Sequence, residues 1–124
     1  MKLFTVEEAN RLLPKVRAIV EEIQRAHRQL RAFREEARRA AQKSEANGGI
    51  DGGALFAAAL VGMSERILEL ETLGVQLKDC ERGLVDFPHL RDGRVVLLCW
   101  HVGEGDQIEW WHEWDAGFAG RQRL

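Results

Sequence analysis

Lys78, Asp79, Asp86, Glu104, His112 and Arg121 are the side chains of this sequence best suited by type to acid–base chemistry. A carboxyl group flanked by lysine, arginine and histidine has its proton affinity set by those neighbours, as a general acid or base requires. The same six groups would equally serve as an ion-pair network that pins the C-terminal tail, and that structural role is the favoured expectation. His101, His112 and Cys99 are the residues a metal site would draw on. Cys99 and His101 form only a C-x-H pair, which is a weak signal. In the strand register below, His101 and His112 share a face but stand about four residues apart. At roughly 3.3 Å per residue they are about 13 Å from each other, too far to share one ion. The expectation is therefore no cofactor and no metal, with the histidines satisfied by hydrogen bonds and His27 solvated on a helix.

Other chemistries are excluded or demoted. The glycines between Gly48 and Gly53 follow a helix and lack the lysine and hydroxyl of a phosphate-binding loop. No nucleophile elbow is present. Arg25, Arg28, Arg31, Arg34, Arg38, Arg39 and Lys43 form a basic stripe, within which Arg28, Arg31, Arg38 and Arg39 would be the nucleic-acid contacts. No aromatic residue is interleaved for base stacking except Phe33, so a solvated charged face is favoured and nucleic acid ranks third. The net charge of -2 over 124 residues gives no global pull towards nucleic acid or anionic membrane. Cys80 and Cys99 lie far apart and indicate neither a disulfide framework nor a zinc knuckle. Neither a signal peptide nor a run of membrane-spanning length is found, so the expected location is cytoplasmic.

These residues must be positioned by two helices and a small sheet. Thr5-Val6-Glu7-Glu8 has the form of a capping box, with Phe4 placed for a hydrophobic staple. Pro14 lies too far into the helix for a first-turn proline, which predicts a kink or restart there. From Val16 the apolar residues Ile19, Ile23, Ala26, Leu30, Phe33, Ala37 and Ala40 alternate by three and four, a coiled-coil-like seam. The glycine-rich stretch 47–53 reverses the chain. Phe56, Leu60, Met63, Ile67 and Leu70 repeat the seam on a second helix, which Gly74 caps. An antiparallel helical hairpin follows.

After Gly74 the period changes to two. Val75–Asp79, Leu84–Pro88, Val95–Trp100 and Gln107–His112 read as strands, with Pro88 favouring an edge or strand end. Taking Arg91-Asp92-Gly93 and Gly103–Asp106 as loops places Leu90 opposite Arg94 and Val102 opposite Gln107. One face then carries Val85, Phe87, His89, Val95, Leu97, Cys99, His101, Ile108, Trp110 and His112. The other carries Leu84, Asp86, Pro88, Val96, Leu98, Trp100, Val102, Glu109 and Trp111. Both faces of the central strand are apolar, and one helical hairpin covers only one of them. Either the extra length of helix one folds across, or a second subunit covers the rest. A homodimer is the favoured answer, with Trp100, Trp111, Phe33 and Leu30 at its interface.

The motifs FTVEEANRLLP (Phe4–Pro14), GVQLKD (Gly74–Asp79), GLVDFP (Gly83–Pro88), LCWHVGE (Leu98–Glu104), IEWWH (Ile108–His112) and GFAGR (Gly117–Arg121) together resemble a bacterial family, domain of unknown function 2203. The resemblance runs over essentially the whole chain. It implies a small cytoplasmic protein without an assigned activity, cofactor or catalytic residue. The expected fold is α+β in one domain: a long antiparallel helical hairpin (1–74), a three- to four-stranded antiparallel sheet (75–114) and a tail (115–124). The leading functional expectation is a non-enzymatic interaction or scaffold module that homodimerises, with a further protein partner open and no membrane partner. The alternative is an enzyme or metal-binding protein using the acid, histidine and arginine cluster beside the sheet.

Overall fold

A computed structural model describes residues 1–43 and 52–124. Helix α1 spans Val6–Gln42 and α2 spans Gly53–Leu73. Five strands follow: β1 (Gln76–Asp79), β2 (Leu84–Arg91), β3 (Arg94–His101), β4 (Trp110–Glu113) and β5 (Gln122–Arg123), with a 3₁₀ turn over Phe118–Gly120 before the last. The strands pair in chain order, each antiparallel to the next. The α+β hairpin-and-sheet expectation holds. The sheet has one strand more than the three to four expected, because the tail returns as β5. The glycine-rich reversal over 47–51 lies outside the described residues. Among the described residues, no helix is long and apolar enough to cross a membrane.

Local chemistry accounts for the helix ends. Glu8 N–H donates to Thr5 Oγ1 and Thr5 N–H donates to Glu8 Oε1, closing the capping box at 3.0 and 2.9 Å. Those bonds hold the Glu8 carboxyl below its ordinary value, the backbone bond to Thr5 contributing most. A depressed carboxylate stabilises above its unfolded pKa and loses that contribution as pH falls through the folded value. Thr5→Ala keeps the Thr5 N–H that holds Glu8 but removes the hydroxyl that accepts from the Glu8 N–H, and the lost N-cap bond should lower stability by about 1 kcal/mol, read from urea unfolding. Of the expected kink or restart at Pro14, the restart does not occur: α1 runs through Pro14 as one helix. Pro14 is on the exposed side of the helix, where water can satisfy the carbonyl that loses its N–H. At the other end of the hairpin, Gly74 caps α2 at φ 88°, as its position in the sequence implied.

The helices run antiparallel, since Glu22 bonds Arg66 and the Phe33 ring packs 4.6 Å from Phe56. Ala9, Leu13, Val16, Val20 and Ile23 of α1 join Leu70 of α2 over one sheet face, composed of Val85, Phe87, Val96, Leu98, Trp100 and Trp111. Phe4 closes this core edge-on to Phe87, while its N–H donates to the Pro88 carbonyl at 2.7 Å. Pro88 is in an inner strand, but β1 begins only at Gln76, opposite Asp86. On that side the proline thus meets the N-terminal segment instead of a strand, so its missing donor interrupts no ladder.

The register of β2 differs by one residue from the expected one. Arg91 pairs with Arg94, and the loop is the two-residue turn Asp92-Gly93 at φ 52° and 77°. Positive φ at both positions is the type I′ geometry, whose twist matches that of the strands it joins. One residue of slip turns every β2 side chain over. Val85 and Phe87 therefore face the helices with Trp100 and Leu98, and Asp86 joins Cys99 on the outer face. The β3–β4 register stands as expected: Leu97 faces His112 and Cys99 faces Trp110.

Gly83 shows how closely the β1–β2 turn is seated on the core. It sits at φ 63°, and a Cβ there would lie 2.6 Å from Val102 Cγ2 and 2.9 Å from Val20 Cγ1. Gly83→Ala should cost about 2 kcal/mol or more, visible as a lower denaturant midpoint at unchanged slope.

Candidate polar site on the outer face of the sheet

The face turned away from the helices is not covered by α1. The C-terminal tail closes over it. Arg121 lies 4.8 Å from the Trp110 ring centroid and 4.3 Å from that of Phe118. Its guanidinium donates to both Glu104 carboxylate oxygens, at 3.0 and 3.2 Å, and reaches within 4.0 Å of Cys99 Sγ. Glu104 also accepts from the His101 backbone N–H at 2.9 Å. One carboxylate thus fastens both the turn after β3 and the tail. β5 anchors the tail at the sheet edge by pairing Arg123 with Trp110 and Gln122 with Trp111.

Beneath this lid is a fully buried polar cluster. Asp86 from β2, Cys99 from β3 and His112 from β4 bring one ligand-type atom each to within 4.8 Å of one another. Asp86 and His112 are each 2% exposed and Cys99 is 0% exposed, which leaves no surface where a substrate could meet them. His112 Nδ1 is 2.8 Å from the Glu113 carbonyl, and Nε2 is 3.1 and 3.2 Å from the two Asp86 oxygens. A carbonyl only accepts, so Nδ1 carries a proton. A second proton lies between Nε2 and the carboxylate and makes their bond. Burial pushes the Asp86 carboxyl up, and the facing His112 opposes that. Burial and the Asp86 charge push the Cys99 thiol up to about 12 against the pull of Arg121. Cys99 is therefore a protonated, inert thiol in this state, not a nucleophile.

The six acid–base candidates divide in the structure. Asp86 and His112 form one pair, Glu104 and Arg121 another, and Cys99 stands between the two. Lys78 is exposed and acts on Asp86 only through its charge. Asp79 belongs to a turn, its Oδ1 accepting from Glu81 and Arg82 N–H. His101 is outside the buried cluster, its Nδ1 bonded to its neighbour's carbonyl at Val102. His89 Nδ1 bonds the Phe4 carbonyl, and His27 is half-buried. The union of Asp86 with Cys99 and His112 is hidden in the expected register. The Asp92-Gly93 dipeptide, a two-residue turn signal, would have revealed it.

The expected interface residues are differently placed. Trp100, Trp111 and Leu30 are already buried within one chain, and Phe33 packs on Phe56. The uncovered apolar surface lies on α2 instead. From Gly53 to Ser64 that helix has no charged residue, and of its whole length only Leu70 is fully buried. Leu55, Val61 and Leu68 are 77, 58 and 62% exposed. Arg28, Arg31, Arg38 and Arg39 are all exposed on α1, Arg31 bonding Glu81 at 2.8 Å.

A helical hairpin on one face of a five-stranded meander, with a tail sealing a buried Asp–Cys–His cluster on the other, defines a small α+β protein. The chain belongs to the family of uncharacterized conserved proteins DUF2203, which matches residues 2–124. No curated protein and no solved structure matches it.

Proposed function

We propose that this protein is a non-enzymatic association module that homodimerises by packing α2 of one copy antiparallel against α2 of the other. The observation that carries the reading is that α2 has two seams. Phe56, Met63, Ile67 and Leu70 face α1. On the opposite side Ala54, Ala57, Val61, Ser64 and Leu68 repeat the same three–four alternation, and all five are exposed. A helix apolar all round is one that is buried all round. Small residues along the outer seam allow a second helix to approach closely.

Charge favours a second copy as the occupant. The C-terminal half of α2 is acidic through Glu65, Glu69 and Glu71 against Arg66. The opposite end of the hairpin, where α1 from Arg25 onward lies beside the N-terminal half of α2, carries six arginines against two glutamates. Antiparallel packing lays the acidic end of each α2 beside the partner's basic end. On this reading the arginine stripe serves assembly.

Sedimentation velocity tests the reading at micromolar concentration. The wild-type chain is expected to sediment as a dimer, as is Leu90→Glu, which changes an exposed leucine at the sheet's end. Val61→Glu with Leu68→Glu is expected to weaken association by about 100-fold or more and give a folded monomer. A monomeric wild type, or a double variant that stays dimeric, would contradict it.

A further inference from the structure

We propose that Asp86, Cys99 and His112 form a binding site for one divalent transition-metal ion of the zinc class, set between the three central strands. Three different donor types converge there: a carboxylate oxygen, a thiol sulfur and an imidazole nitrogen. They come from neighbouring strands onto one face, with all ligand atoms within 4.8 Å. A four-coordinate ion with bonds of about 2.0–2.3 Å holds its ligand atoms roughly 3.3–3.8 Å apart. The Nε2–carboxylate separations of 3.1 and 3.2 Å are already close to that spacing.

The surroundings suit an ion as well as the donors do. His112 Nδ1 donates to the Glu113 carbonyl, which fixes the ring and turns Nε2 towards Asp86 and Cys99 as the ligating nitrogen. Such a bond is the outer-shell support that histidine ligands ordinarily have. Arg121 lies 4.0 Å from Cys99 Sγ and can donate to the thiolate. Charge balances without any further residue. Binding displaces the thiol proton and the proton between His112 and Asp86 to solvent, so a 2+ ion replaces two protons. A thiolate with an imidazole and a carboxylate favours zinc, or cobalt in its place, over magnesium or calcium, which take oxygen ligands. Among the described residues no fourth protein donor completes the set, so water or a small anion fills the last position. With the three ligands buried and Arg121 beside Cys99, the ion's role is to tie β2, β3 and β4 together. This does not depend on the dimer: all three ligands come from one chain.

The experiment is titration of the chelator-stripped full-length protein with Zn²⁺ and, separately, with Co²⁺. One equivalent of Zn²⁺ per chain is expected, retained against a competing chromophoric chelator. The Co²⁺ form should show the thiolate charge-transfer band and intense visible bands of a tetrahedral site. Cys99→Ser should abolish the charge-transfer band and weaken Zn²⁺ at least about 100-fold, more than the loss of outer-shell support costs. Asp86→Asn should weaken Zn²⁺ with its fold intact. Cys80→Ser, at the cysteine packed against the helix-side core, should change neither. If the wild-type chain takes up no stoichiometric Zn²⁺ and gives no cobalt–thiolate band, the site is a metal-free hydrogen-bonded core and the proposal fails. The cobalt spectrum of the wild type decides this even where a variant does not fold.

Discussion

Asp86→Ala is expected to lower the stability of the metal-free protein by about 3 kcal/mol, among the largest losses for any single change in the sheet. Three effects add. His112 Nε2 loses its partner at a place with no water to replace it, for which a cost of about 1–3 kcal/mol is typical. The S–H of Cys99 loses the nearby acceptor as well. The space vacated by the carboxyl lies between three inner strands that cannot readily close over it. Asp86→Asn separates the hydrogen bond from the charge. The amide has the same shape and offers an N–H to Nε2, while Nδ1 stays bonded to the Glu113 carbonyl. It should cost less than about 1 kcal/mol. Both variants are to be compared by urea unfolding in chelator. Equal losses in the two would mean that charge, not hydrogen-bond satisfaction, sustains the cluster.

Glu104→Ala is the second large effect, and its character is local. Glu104 and Arg121 side chains are only 15 and 14% exposed, so removing the carboxylate strands a guanidinium between Trp110 and Phe118. Losing one member of a well-buried ion pair costs about 3–5 kcal/mol, and this partly wetted one should cost about 2–3 kcal/mol. The loss falls on the lid first. β5 is two residues long and is held by its pairing with β4, by the Leu124 N–H to Glu109 carbonyl bond and by Arg121. Amides of the tail should exchange faster by one to two orders of magnitude, while those of β2 and β3 move little. Cys99 should become reactive to thiol reagents at the same time. A tail that stays protected would show that β5 pairing alone holds the lid.

Much of the scaffold could be read from local chemistry. The Thr5–Glu8 box, Gly74 and the three–four seams fix the helices because capping and periodicity act within a few residues. The β3–β4 register followed from alternation on either side of the Gly103 region, even though β4 is shorter than its aromatic run. The site was less legible, for two physical reasons. First, strand pairing has a period of two, so reading Asp92-Gly93 as part of a three-residue loop turned Asp86 away from Cys99 and His112. Second, burial of the outer face depends on the return of the tail. Gln122 and Arg123 carry no strand signal of their own and become one only against Trp110 and Trp111. The exposed seam of α2 was in plain view as Ala54, Ala57, Val61 and Leu68. Periodicity alone marks the stronger inner seam, and only the packing shows the outer one uncovered.

Native mass spectrometry of the untagged 124-residue chain weighs the proposed dimer directly. The expected mass is twice that of the 14.1 kDa chain at micromolar concentration, falling to one chain for Val61→Glu with Leu68→Glu. A wild-type spectrum holding only the single chain at that concentration would contradict it and leave the outer seam of α2 to another partner.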